Sequence, residues 1–323
     1  MHARARGLDS HAAWNVVRAA ARHAEQVDAA GRRDVFALDG EDDLRRVDER
    51  DADAVIAWHP GSGWTTVLPS DDPGGALVDL YLPICSATAA RPITVGHLGQ
   101  SLDGFIATHA GESRWVTGEE NLLHMHRLRA LCHAVVVGAG TVAADDPQLT
   151  TRLVPGPNPL RVVLDPTRRL DERHRVFTDD AAETWYVCAR SAALAGETTF
   201  GRATIVVVDD APEGGVDVEA LMRLLRRRGC ARVFVEGGGV TVSMFLAANL
   251  LDRLHMTVAP LIIGNGRPAI RLAPRSALGD CHRPRYRVFR MGGDVLFDCD
   301  VRNLDDQDAD AAPPPDPPVV RII

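Results

Sequence analysis

The sequence predicts an α/β fold, and three observations predict it. From residue 93 onward, short runs rich in valine and isoleucine recur, amphipathic segments alternate with them, and glycine-rich turns mark the joins. The 323 residues are 46% hydrophobic and 25% charged, which suffices for a full core.

The first 90 residues have a different texture. Residues 11–27 (HAAWNVVRAAARHAEQV) read as an amphipathic helix. Trp14, Val17 and Ala21 fall near one face, and Asp9 or Ser10 is placed to cap it. An acidic polar stretch, GEDDLRRVDERDADA, follows. Two short strands, AVIAWHP and WTTVLPS, flank a Gly-Ser-Gly turn, and ALVDLYLPI continues the segment. Residues 1–90 are thus expected to form a small α+β N-terminal extension.

Residues 91–302 carry the α/β pattern. ITVGHL (93–98) is a strand, and a helix runs from about Asn121 to Cys132. AVVVG (134–138), LRVVLD (160–165), TWYVCA (184–189) and ATIVVV (203–208) are strands. Residues 217–228 form a helix that Gly229 ends. ARVFVEGG (231–238) is a strand entering a glycine turn, and TVSMFLAANL is the next helix. LDRLHMTVAP and RYRVFRMGGDVLFDCD are late strands, the second a hairpin about Gly292 and Gly293. Residues 303–323 are acidic and proline-rich, and a disordered tail is expected there.

Charge and composition exclude several functions. With 36 basic against 44 acidic residues and 5% aromatics, the chain is no general binder of nucleic acid or anionic membrane. All 36 basic residues are arginine, so Schiff-base chemistry and a Walker-type phosphate loop are excluded. Arginine forks remain for phosphate and carboxylate groups. The six cysteines form no C-x-x-C pair and the histidines no H-E-x-x-H array, so no metal site is predicted. Cys132, Cys188 and Cys230 lie in apolar surroundings that favour buried thiols. No apolar run reaches 18 residues and the start lacks a signal core, so a cytoplasmic protein is expected.

Three glycine-rich segments are candidates for chemistry. In VFVEGGGVTVSMF, a strand ends at Glu236, and Gly237, Gly238 and Gly239 precede a helix. Their amides suit a pyrophosphate, and a tight turn needing glycine for sterics alone is the other reading. In VVVGAGTVAADDPQLTTR, Thr141 is placed to cap a short helix and reach a ligand, with Asp145 and Asp146 one turn on. In GHLGQSLDGFIATHAGESRW, small polar residues follow a strand, and Trp115 is either a lid over a flat ligand or core. His97 is a half-buried histidine or a ligand contact.

These segments together resemble the reductase domain of the riboflavin pathway, the C-terminal half of the bifunctional pyrimidine deaminase–reductase. The resemblance covers about residues 91–301. It rests on SLDG (101–104), GES (111–113) with Trp115, HRLRA (126–130), GAGTVAADDPQLTTR (138–152), RVVLD (161–165), EGGG (236–239) and APLIIGNG (259–266). It implies a dihydrofolate-reductase-like three-layer fold with a mixed central sheet, a homodimer, NADPH as cofactor and a small-molecule substrate.

Residue by residue, the resemblance puts cofactor contacts at Gln100, Trp115, Thr141, Asp145 and Gly237 through Ser243, that is Gly237, Gly238, Gly239, Val240, Thr241, Val242 and Ser243. Substrate contacts fall at Ser113, Arg129, Leu149, Arg152 and Glu236. Glu236 is suited to accept N–H donors from a diaminopyrimidine edge, and Arg129 with Arg152 to clamp a sugar phosphate. The family pattern places a lysine, which holds the polar tail of the substrate, where His97 stands, so His97 joins the substrate set. Asp145, Glu236 and His97 are the titratable candidates for the catalytic centre, Asp145 as an orienting group. Arg190, beside Ser191 after a strand, is a candidate for a cofactor 2′-phosphate or a solvated surface arginine.

The expected reaction is hydride transfer to the imine form of a ribosylamino group on a 5-amino-6-(5-phosphoribosylamino)uracil-like pyrimidine. A reductase of another, unphosphorylated heterocycle and a non-catalytic nucleotide- or pterin-binding protein are the alternatives. Residues 1–90 carry no zinc-deaminase signature.

Overall fold

The computed structural model describes residues 7–40 and 42–302; the expected C-terminal tail lies outside them. The Asp9 carboxylate accepts the Ala12 amide and caps α1 (Ser10–Ala30), which ends at Gly31 in the left-handed region. Four antiparallel strands follow: β1 (Asp34–Leu38), β2 (Leu44–Val47), β3 (Ala54–His59) and β4 (Gly63–Thr66), in the order β2-β1-β3-β4. The acidic stretch therefore holds an edge strand, whose arginines face solvent. ALVDLYLPI folds as α2 (Gly75–Cys85), with Pro83 in its last turn.

The larger part comprises β5 (Ile93–Ser101), β6 (Phe105–Thr108), α3 (Glu119–Leu131), β7 (Ala134–Gly138), α4 (Ala139–Asp145), β8 (Leu160–Leu164), α5 (Arg175–Thr178), β9 (Thr184–Ala189), β10 (Thr199–Phe200) and β11 (Ala203–Val208). It continues with α6 (Val218–Arg227), β12 (Arg232–Val235), α7 (Gly239–Ala247), β13 (Arg253–Ala259), β14 (Gly266–Pro268), β15 (Arg285–Met291) and β16 (Asp294–Asp300). Ten strands make one sheet, ordered β10-β11-β9-β8-β7-β12-β5-β13-β16-β15. The block from β11 to β13 is parallel, and β10, β16 and β15 are antiparallel, so the sheet is mixed. β6 and β14 form a separate two-stranded ribbon.

Burial explains the layers. Val136, Val162, Leu221, Leu225 and Phe245 join one face of the sheet to α6 and α7. On the other face, Val135 and Phe234 pack with Leu128 and Leu131 of α3. That second cluster continues without a break into Trp14, Val17, Tyr81 and Ile84 of the N-terminal unit. Parallel strands covered on both faces read as continuous apolar runs, which is why they were legible. Cys132, Cys188 and Cys230 are buried, as is Cys85. No described helix is long and apolar enough to cross a membrane.

Candidate active site

Neighbouring parallel strands β7 and β12 both end in glycine turns, and the turns interlock. The Thr141 hydroxyl accepts the Gly238 amide at 3.0 Å. Thr141 thus does not cap its own helix; Gly138 stands at that N-terminus, and no side chain caps it. A β-carbon on Gly138 would overlap the Thr241 hydroxyl, and one on Gly237 (φ 115°) would lie 2.8 Å from that of Thr141. One on Gly239 would overlap the carbonyl of Ala269. Glycine is therefore dictated here by the close approach of two threonine hydroxyls and of the Ala269 backbone, and at Gly237 by φ as well.

No side chain caps α7, and while the Thr241 and Val242 amides donate to the Gly238 carbonyl, those of Gly239 and Val240 point ahead of the helix, as amides that receive an anionic ligand do. Gly237 and Gly238 are half-buried and Val240 is 71% exposed at the rim. The rest of this stretch turns inward. Thr241 and Val242 are buried, and the Ser243 hydroxyl accepts the Arg271 amide at 2.8 Å.

The two turns lie at the carboxyl ends of the parallel strands, the end at which open α/β sheets bind ligands. Gln100 stands near the end of β5, half-buried. The Ser113 hydroxyl donates to Asp145 Oδ1 at 3.3 Å, joining two residues that the sequence placed on different sides of the site. Trp115, at φ 65° and 75% exposed, is not core. Asp103 was missed by sequence reasoning. It accepts the Ser101 hydroxyl and the amides of Ile263 and Gly264, tying the SLDG turn to IIGNG. The Ser101 bond leads in holding its carboxyl down to about 2.

Glu236 and Arg129 are brought together with each other. Arg129 Nε and Nη2 donate to the two Glu236 oxygens at 2.9 and 2.6 Å, and Nη1 donates to the Thr150 carbonyl. Both are buried, so Arg129 is an internal counter-ion and not a free half of a phosphate clamp. Arg152 is exposed; its Nη1 donates to the Thr150 hydroxyl, and its amide donates to His126 Nδ1. Burial, then the charges of Arg129 and Arg152, pushes His126 down to about 4. Leu149 is buried at φ 57°.

His97 corrects the reading most sharply. It is 3% exposed, and its Nε2 lies 2.9 Å from Asn121 Oδ1. Burial first, and then the charges of His255 and Arg129, pushes it down to about 3 against the Asn121 bond. It is a neutral imidazole in a buried polar cluster and no substitute for a lysine. Tyr81 bonds His124 at 2.6 Å, His124 bonds His255 at 3.1 Å, and His255 Nε2 stands 3.1 Å from Asp298. Arg190 is exposed and pairs with Asp209 at 2.7 Å, so its charge already has an acid partner.

Among the described residues, no group of three or more His, Cys, Asp or Glu is arranged to hold a metal. The donors present fit a dinucleotide: free helix amides, hydroxyls and a turn without β-carbons.

Comparison with known proteins agrees with this architecture. Residues 93–286 match the RibD C-terminal domain. The 2,5-diamino-6-ribosylamino-4(3H)-pyrimidinone 5′-phosphate reductase of Methanothermobacter thermautotrophicus is 34% identical over 219 residues, covering 66% of this chain and 99% of the relative. The riboflavin biosynthesis protein RibD of Bacillus amyloliquefaciens is 35% identical over 168 residues, covering 51% of this chain and 44% of the relative. The chain spans about half the length of the RibD proteins it matches. A Thermotoga maritima diaminohydroxyphosphoribosylaminopyrimidine deaminase/5-amino-6-(5-phosphoribosylamino)uracil reductase superposes with a TM-score of 0.54 at 28% identity, covering 70% of this chain and 60% of that one. The Saccharomyces cerevisiae reductase Rib7 shares the fold, with a TM-score of 0.51 at 18% identity, over 65% of this chain and 89% of that one. The chain belongs to the RibD C-terminal domain family and is an enzyme of the reductase class.

Proposed function

We propose that the chain is an NADPH-dependent reductase of a ribosylaminopyrimidine, the substrate class named for its Methanothermobacter relative. The interlocked turns beside the uncapped α7, with Asp145 (bonded to Ser113) closing the helix after one turn and Glu236 (bonded to Arg129) leading into the other, are the observation that carries it. The cofactor supplies a hydride. The free amides of α7 and the Thr141 hydroxyl hold its polar backbone. Glu236, fixed by Arg129, keeps lone pairs for the N–H groups of the pyrimidine. In the open imine form, C1′ gains the hydride and the nitrogen gains a proton from solvent, which leaves a ribitylamino group. Arg152 offers its fork to a phosphate. A homodimer belongs to this reading, supported by the family resemblance.

A second reading, an unphosphorylated substrate, is favoured by one observation: the family lysine is replaced by a neutral, buried His97. Following NADPH oxidation with 5-amino-6-(5-phosphoribosylamino)uracil and with its dephosphorylated form separates the two. Turnover of the phosphorylated compound supports the first reading and turnover of the other alone the second. Turnover of neither, without NADPH binding, ends both.

NADPH is expected to bind several-fold more tightly than NADH in calorimetric titration. Because Arg190 is paired with Asp209, Arg190→Ala is expected to change that ratio less than twofold. A collapse of the ratio to one would make Arg190 the 2′-phosphate ligand after all.

A further inference from the structure

Residues 146–159, between α4 and β8, hold neither helix nor strand, yet they carry Leu149 and Arg152. Such a segment keeps its shape only through tethers. Two come from α3: Arg129 to the Thr150 carbonyl, and His126 to the Arg152 amide. The segment also closes on itself, through the Thr151 amide to Asn158 Oδ1 and the Thr151 hydroxyl to the Pro157 carbonyl. A further tether comes from outside the reductase domain. Trp14 of α1, 3% exposed, donates its indole N–H to the Pro155 carbonyl at 3.1 Å. The indole is itself fixed, edge-on to Tyr81 at 5.8 Å, with the Arg127 guanidinium 5.7 Å from its centroid. Val154 packs on the same apolar cluster.

We infer that the N-terminal unit positions the substrate loop 146–159 through Trp14, and that this is its contribution to catalysis. The inference rests on the proposed function for the role of Arg152, and on the family resemblance for that of Leu149. Trp14 touches no reacting group and is a positioning residue. Asn158 Nδ2 also anchors the loop, to the Ala181 carbonyl at 2.9 Å, so losing the Trp14 N–H leaves the Pro155 carbonyl without that donor and loosens the stretch between the α3 tethers and Asn158, while the cofactor turns, held by Thr141, stay in place.

The unit supplies its own control. Trp64 donates to the Ala20 carbonyl at 3.1 Å, a buried bond of the same kind that lies wholly inside the N-terminal unit. Trp14→Phe and Trp64→Phe are compared for KM, NADPH affinity and hydrogen exchange. Trp14→Phe is expected to raise the KM for 5-amino-6-(5-phosphoribosylamino)uracil at least fivefold. Its NADPH affinity should stay within twofold, and the Thr151 and Arg152 amides should exchange faster. Trp64→Phe should lower the melting temperature without either loop effect. Unchanged KM and exchange in Trp14→Phe, or equal changes in both variants, would overturn the inference. If the wild type does not turn over this compound, the functional reading fails, and exchange of the loop amides still decides whether Trp14 holds the loop.

Discussion

Replacing Arg129 with methionine is expected to lower the unfolding free energy by about 3–5 kcal/mol, because it strands the buried Glu236 carboxylate without its partner. The Arg129→Met/Glu236→Leu double variant should regain most of that loss, since an apolar pair of similar volume carries no desolvation penalty. Substrate turnover should stay abolished in the double variant, because the pyrimidine then has no charged acceptor. Urea denaturation of the four proteins, with activity alongside, reads both outcomes. A single substitution that costs under about 1 kcal/mol, or a cycle with no coupling, would show that the pair is solvated and not a buried counter-ion unit.

Acid is expected to unfold the protein early, and the buried histidines are the reason. Burial pushes His97 down to about 3, and burial with the charges of His255, His97 and Arg127 holds His124 well below its ordinary value. Around them stand Tyr81, Asn121, Thr257, His255 and Asp298. The unfolded chain takes up protons on these rings below about pH 6.5, while the folded chain does not. Stability is therefore retained above that value and lost as pH falls, by about 1.4 kcal/mol per unit for each ring. Between pH 7 and pH 5 the His97 ring should cost about 2 kcal/mol, and His124 acts in the same direction. His97→Asn should flatten part of that slope in denaturation curves; an unaltered slope would mean that His97 titrates freely in the folded state.

The parallel strands were readable because two-sided burial makes them unbroken apolar runs such as AVVVG and LRVVL. β2 was not readable, since LRRV is an edge strand whose two central arginines face water and only its end residues, Leu44 and Val47, are half-buried. α2 was ambiguous for a different reason. GALVDLYLPIC is apolar nearly all round, and short apolar runs give no period that separates helix from strand. In the site, the glycine turns announced themselves through their unusual composition. The Arg129–Glu236 bond did not, because its ends are 107 residues apart. His97, His124 and His255 come from three separate elements, so spacing carried no sign that they meet. The Asp103 clasp joined two motifs that were each visible, but only the fold shows that they touch.

The place of β5 in the sheet has a consequence for synthesis. It is the first strand of the ten to leave the ribosome, yet its two hydrogen-bonding partners are β12 and β13, which start at Arg232 and Arg253. At about 5–20 residues per second, the nascent chain carries β5 with both edges open for on the order of ten seconds. Unpaired apolar edges are templates for wrong pairing, so this interval is when the chain is most exposed to aggregation and most in need of a chaperone. Chains arrested before Arg253 should remain protease-sensitive at β5, and those arrested well beyond Ala259 should be protected. A release factor acting too early would therefore leave a chain that cannot close its own middle.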